Sequence, residues 1–449
     1  VEPAVKTEAG QSWVEQLRSG TLALFLPGGT GGERLAMLDT VRAFAVLAVV
    51  VHHTWYVAGS PPLPITIGPK TISLAAAFQG AGLGVDIFFV LSGFLLSMPW
   101  HRAARDGKPR PDLRRYFTRR FLRIVPPYWF MLLVMLLLMS NATIPWPAVG
   151  GSDGVKAILA HVFFVQYLFP TSSGGFSAVN GSLWTLTIEM LFYITLPVLI
   201  YAFLGRRWRW GLPISIAFSL FWVWLSWHHL GGLVGHLEDG FARLGGTTST
   251  VRYFLSTQYL AFIGEFGIGI CVAGWWLRRG NRGGERPGRT RLWIGAGTLA
   301  ALAVALFLMY ADGGHGGNEV LEIVARMGVA AAVGLMITGF LAGSALLRRP
   351  LEFLPFRLYG VIGYSVFLWH LPILTVMATW PIFATTDPTA RFWQIAAVGL
   401  PVTAIFGVVM YLLVERPFLV MRPGPLRRPS QRESPEGTSS APVVQPEAW

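Results

Sequence analysis

Arg42 and His53 lie eleven residues apart in LDTVRAFAVLAVVVHH, a stretch apolar enough to cross a bilayer. At about 100° per residue, eleven helical steps leave the two only about 20° out of line, so one face carries both. A guanidinium and an imidazole on one intramembrane face are costly unless protein, water or ligand meets them. The pair therefore reads as a functional site: the cation suits an anionic ligand, and the imidazole can move a proton near neutral pH. His52, about 100° round from His53, fits a bond to a neighbouring backbone carbonyl instead.

Other ionisable groups fall inside apolar runs. Glu189, in NGSLWTLTIEMLFYITLP, stands about six positions into a span, roughly 9 Å deep at the helical rise. It should be protonated, paired or part of a site. His370, in GYSVFLWHLPIL, lies roughly 16 Å up its span, and His53 roughly 20 Å above Asp39. These three groups share a layer near or above the midplane, and intramembrane ionisable groups usually face a common interior. Arg120 and Arg123, in RRYFTRRFLRIVPPYW, are three apart and share a helix face, with Pro126 and Pro127 expected to kink or restart the helix. Two planar forks suit a phosphate-rich ligand, although arginines at this boundary also snorkel or hold lipid headgroups. Asp86, in GLGVDIFFVLSGFLL, is a candidate to bind substrate, to pair with an arginine or to sit solvated at the interface. Ser92 reads as packing. Glu265 is divided between close helix packing and function, and Glu322 with Arg326, four apart, reads as a neutralising pair. Tryptophans at span ends, such as Trp55, Trp100 and Trp208, fit an aromatic belt.

The elements that must position these groups follow from composition. Of 449 residues 53% are hydrophobic and 13% charged, too little polar surface for a soluble globule of this size. Apolar runs at 40–59, 84–100, 122–140, 182–204, 211–230, 253–277, 292–311, 321–347, 359–381 and 392–414 are long enough to span. The expectation is an all-α polytopic bundle of about ten transmembrane helices, with a partial helix at 155–169. If that short run does not cross, loops on one side hold 25 Lys or Arg and those on the other hold 5. The positive-inside rule then places both termini in the cytoplasm of a bacterial plasma membrane.

That loop bias accounts for the net charge of +13 and leaves no case for nucleic-acid binding. The single Cys271 forms no intrachain disulfide, and no metal site is expected. Residues 1–33 read as a cytoplasmic leader, 34–422 as the membrane domain, and 423–449 as a disordered tail with no second folded domain. From these residues alone two functions stand level. One is an enzyme; the other is a proton-coupled transporter of an anionic or sugar-like solute, which also needs buried His and Glu beside anion-binding Arg. The paired broken helices common in transporters are not evident in the sequence.

The chain resembles the membrane-bound acyltransferase-3 family. The likeness is carried by the Arg, ten residues, His pattern of LDTVRAFAVLAVVVHH, then GVDIFFVLSGFLL, the RxxR element RRFLRIVPPYW, SLWTLTIEMLFY, GYSVFLWHLPI and the terminal VERPF, over roughly residues 35–420. The resemblance implies transfer of an acyl group, often acetyl, from cytoplasmic acyl-CoA to a hydroxyl on a sugar, lipid-linked glycan or small natural product. The family's functional positions map to Arg42, His53, Arg120, Arg123 and Glu189. Some relatives carry a fused extracytoplasmic SGNH hydrolase-like domain; here the membrane unit is expected to do the chemistry itself or with a separate extracytoplasmic partner. In that scheme Arg120 and Arg123, aided by Arg42, hold the coenzyme phosphates, His53 acts as general base, and Glu189 orients His53 or binds the acceptor. Asp86 and His370 are the candidate substrate contacts.

Overall fold

The computed structural model describes residues 25, 36–67, 70–140, 152–168, 180–228, 248–279, 293–297, 319–342 and 349–421. The predicted leader apart from Phe25, the tail and nearly all of the 292–311 run lie outside them. Every other predicted run falls on a helix. Seven described helices are long and apolar enough to cross a membrane, and a bent pair makes eight if counted as one span. The only strands among the described residues form a hairpin, Pro64–Ile67 with Lys70–Ser73, antiparallel and paired Ile65 to Ile72.

In chain order the helices that bear on the site are α1 (Ala36–Val57), α2 (Ala75–Gly80), α3 (Gly84–Arg105) and α4 (Leu113–Ser140). They are followed by α5 (Ser152–Val162), α6 (Trp184–Leu199), α7 (Trp208–His228), α8 (Thr248–Ser256) and α9 (Ile263–Arg279). Last come α10 (Glu319–Ala342), α11 (Leu354–Val361), α12 (Gly363–Ala378) and α13 (Pro388–Met410), which continues through a π-helical turn, Tyr411–Glu415. The partial helix expected at 155–169 is α5, which stops at Val162 before the chain turns through Phe164 at φ 59°.

Two boundaries differ from the sequence reading. The run at 253–277 is broken: α8 ends at Ser256, Gln258 is extended, and a candidate span begins only at Tyr259. Side chains hold that break. The Gln258 amide donates to Tyr167 O at 3.1 Å and Phe254 O at 3.0 Å, and the Thr257 hydroxyl bonds that of Tyr167. Irregular backbone at membrane depth needs such internal partners. Conversely, Pro126 and Pro127 do not restart a helix, since α4 runs through both. They leave the carbonyls of Leu122 and Arg123 without their usual backbone donors, and one residue further on Tyr364 OH donates to Ile124 O at 2.8 Å. The aromatic belt also needs correction. Trp55 and Trp100 are buried; Trp55 Nε1 donates to Pro61 O at 2.7 Å and Trp100 packs edge-on to Tyr116. Indole N–H groups and flat rings serve interior contacts as readily as lipid interfaces.

The core is built on α3, α4, α6 and α9, where Phe192 and Phe266 stack with centroids 3.8 Å apart. A second apolar cluster joins α1, α12 and α13 through Val46, Val50, Val366 and Ile395. Backbones come unusually close at several points, most tightly at two. A Cβ on Gly269 of α9 would lie 2.0 Å from Val90 O of α3, and one on Gly360 of α11 would lie 1.7 Å from Asp39 O of α1. The chain then bends by 72° between α11 and α12, which sends α12 along α1. Gly360→Ala is expected to cost about 1–3 kcal/mol or more through forced backbone displacement. A lowered thermal unfolding midpoint in detergent checks it.

Candidate active site

α1, α3, α4, α6 and α12 enclose a cavity of about 100 Å³. Its polar wall is made by Arg42, Arg120, Arg123, Glu189, Ser92 and Tyr193, and most of the remaining lining is apolar, including Leu95, Leu96, Phe88 and Phe367. Local sequence places each group. Asp112 caps α4 by accepting from Arg114 N at 2.8 Å, which sets the helix start and turns Arg120 and Arg123 to one face. Arg42 is steadied from one turn earlier on α1 by Asp39, at 3.3 Å.

Within the cavity Glu189 Oε1 accepts from Ser92 Oγ at 3.2 Å and from Tyr193 OH, one turn along α6. Tyr193 is fixed in turn, its backbone carbonyl accepting from Tyr116 OH at 3.2 Å. Both Glu189 and Glu415 bear electrostatically on Arg123, and Glu415 accepts from Ser365 Oγ at 2.7 Å. The cavity lining itself carries three guanidinium groups and one carboxylate, and the buried Nε of Arg120 has no hydrogen-bond partner among the described residues. Such a donor suits an anionic oxygen.

The histidines form a second group beside this cavity. His370 Nε2 lies 3.1 Å from His53 Nδ1, which is itself 2.9 Å from Val49 O. His370 Nδ1 lies 2.8 Å from Phe367 O, and the Phe367 ring both lines the cavity and stands 5.8 Å from the His370 ring. One aromatic side chain thus touches both groups. His52 turns away and bonds Phe78 O at 3.0 Å, the backbone contact its position on the helix suggested.

The structure therefore brings Arg42, Arg120, Arg123 and Glu189 to one cavity and His53 to His370. Glu189 meets Ser92 and Tyr193 rather than His53, because a shared height in the membrane fixes depth but not the direction in which a helix face looks. Asp86 is buried on the other side of α3, about 120° from Ser92. It faces Glu265 of α9 and Arg326 of α10, whose guanidinium lies over the Phe262 ring at 4.7 Å. Sequence reasoning did not single out Tyr193, Tyr116, Ser365 or Glu415. Tyr193 was detectable as the residue four beyond Glu189 on the same helix face; Ser365 and Glu415 meet only through tertiary contact.

The profile of the acyltransferase-3 family, described as an acyltransferase domain, matches residues 35–412. The chain belongs to this acyltransferase family. Peptidoglycan O-acetyltransferase OatA of Listeria monocytogenes is 27% identical over 401 residues, covering 85% of this chain and 55% of the relative. Nodulation protein 10 of Rhizobium leguminosarum bv. viciae is 29% identical over 410 residues, covering 86% and 93%. Exopolysaccharide production protein ExoZ of Rhizobium meliloti is 27% identical over 357 residues, covering 78% and 93%. This family member thus spans about half the length of OatA but nearly all of the other two. No solved structure matches it. Among the described residues of this acyltransferase-family chain, no group of three or more His, Cys, Asp or Glu could hold a metal ion. Tyr193→Phe removes one of the two hydroxyl donors to Glu189 and is expected to cost about 1–3 kcal/mol, measured as reduced stability of the purified protein to denaturant.

Proposed function

We propose that this protein transfers a short acyl group, acetyl in the simplest case, from acyl-CoA to a hydroxyl of a carbohydrate or natural-product acceptor. The observation that carries the reading is the cavity. Three guanidinium groups and an orphaned Arg120 Nε line a narrow, otherwise mostly apolar space beside a pair of imidazoles. A diphosphate at the Arg120 and Arg123 end satisfies those donors, and the mostly apolar remainder of the lining suits the pantetheine arm. The names of the relatives support a carbohydrate acceptor, since OatA is a peptidoglycan O-acetyltransferase and ExoZ takes part in exopolysaccharide production.

The chemistry assigns roles to this chain's residues. In this reading the Phe367 ring, which lines the cavity and stands 5.8 Å from the His370 ring, must shift for the thioester to reach His53. His53 Nε2 takes the acceptor hydroxyl proton as the oxygen attacks the thioester carbonyl. The carbon–sulfur bond breaks, an ester forms, and the proton passes from His53 to the departing sulfur, so free coenzyme A and O-acylated acceptor leave. Glu189, held by Ser92 and Tyr193, offsets the arginine charge and stands ready to bind the acceptor. The excess of Arg and Lys in the loops on one side supports placing the Arg120 end, and both termini, in the cytoplasm.

Purified protein in detergent, supplied with labelled acetyl-CoA and candidate glycans, is expected to yield labelled ester without a sealed membrane. His53→Ala should abolish it while leaving expression intact. Solute movement only in vesicles, with no ester formed, would instead indicate a transporter. The double substitution Arg120→Lys with Arg123→Lys keeps both charges but loses the planar forks, and should raise the KM for acyl-CoA about tenfold or more. Initial-rate kinetics against donor concentration measure that change.

A further inference from the structure

We infer that His370 is a positioning residue for His53, holding it in the one tautomer whose free lone pair sits on Nε2. The inference rests on the acyl-transfer reading above for its catalytic meaning, and on hydrogen-bond geometry for its substance. Both Nδ1 atoms lie within bonding distance of backbone carbonyls: His53 against Val49 O at 2.9 Å and His370 against Phe367 O at 2.8 Å. A carbonyl oxygen only accepts, so each Nδ1 carries a proton. For neutral His370 this leaves a lone pair on Nε2, which faces His53 Nδ1 at 3.1 Å. The His53 Nδ1–H is then shared between Val49 O and His370 Nε2, and every donor meets an acceptor.

The reverse arrangement fails twice. If His370 Nε2–H donated to His53 Nδ1, both Nδ1 atoms would turn lone pairs toward carbonyl oxygens. A doubly protonated His370 would set two N–H groups against each other. His370 is wholly buried, at 0% exposure, and its backbone anchor lies one turn earlier on its own helix, so its ring has little freedom to satisfy another partner. The titratable groups that act on His53 are His370 from α12 and His52 from its own helix. His52 is engaged with Phe78 O. An imidazole thus fills the place that a carboxylate occupies behind the base of a hydrolytic triad: it fixes the tautomer and accepts from the imidazolium that forms during the reaction. Being neutral, it does so without placing a second buried charge in the layer.

The test uses full-length protein labelled with 15N at histidine, in detergent, with His53 ring signals assigned by comparison with His53→Gln. At neutral pH the wild type is expected to show His53 protonated at Nδ1 and unprotonated at Nε2. His370→Leu removes the acceptor and should mix the two tautomers, lowering kcat about ten- to hundredfold while leaving the KM for acyl-CoA unchanged. His370→Gln offers an amide oxygen where Nε2 stood and should restore the wild-type tautomer and most of the turnover. An unprotonated Nδ1 in the wild type would overturn the inference even if His370→Leu does not fold. So would a Gln variant that folds yet is as slow as the Leu variant. Full turnover by His53→Ala would instead retire His53 as the base, and with it the catalytic meaning of the inference, while leaving the ring-nitrogen result intact; absence of any ester with the wild type would sink the acyl-transfer reading.

Discussion

Three guanidinium groups facing one narrow space between apolar helices are the constraint around which this bundle is arranged. Charges at such a depth are tolerated only when they meet opposite charge, hydrogen-bond acceptors or a ligand. Asp39 beside Arg42, and Glu415 and Glu189 near Arg123, supply part of that compensation. Both glutamates are themselves tied down, Glu189 by Ser92 and Tyr193 and Glu415 by Ser365. The site is thus a connected polar network set in an apolar surround, a form in which loss of one partner leaves another uncompensated.

Much of this was legible in the sequence, for reasons that differ by residue. The spans could be read because a bilayer demands long apolar runs, and the eleven-residue interval between Arg42 and His53 fixes their common face whatever else packs nearby. Arg120 and Arg123 were recognisable as a pair for the same reason. Only the azimuth of neighbouring helices decides partners across them, and no single-helix period encodes it. Hence Glu189 went to Ser92 and Tyr193, and His53 to His370. Asp86 turned toward Glu265 because α3 presents one face to the cavity and another to α9. The break at Gln258 was hidden since its surroundings are as apolar as a continuous span; what interrupts the helix is a set of bonds to residues some ninety positions away.

Two polar groupings divide the membrane unit. The first, around the cavity and the imidazole pair, contains Arg42, His53, Arg120, Arg123 and Glu189, the positions to which the family's functional residues map, while Asp86, a candidate substrate contact from the sequence, falls in the other. The second joins Asp86, Glu265 and Arg326 across α3, α9 and α10, with both Glu265 oxygens buried and outside standard hydrogen-bond geometry. Its position beside the close approach of α3 and α9 at Gly269 makes it a joint between helices that also carry cavity-lining and core side chains.

The near-contact of Gly360 with Asp39 O sets the spacing of α1 and α11 by main chain against main chain. Side chains elsewhere along those helices can change size without altering that distance, and the bend that follows carries it into the level at which His370 meets His53. Relatives that agree with this chain at little more than a quarter of the aligned positions could keep the same imidazole alignment through extensive drift in lipid-facing residues. The small residue at the crossing, rather than the apolar surround, is where drift would be felt first.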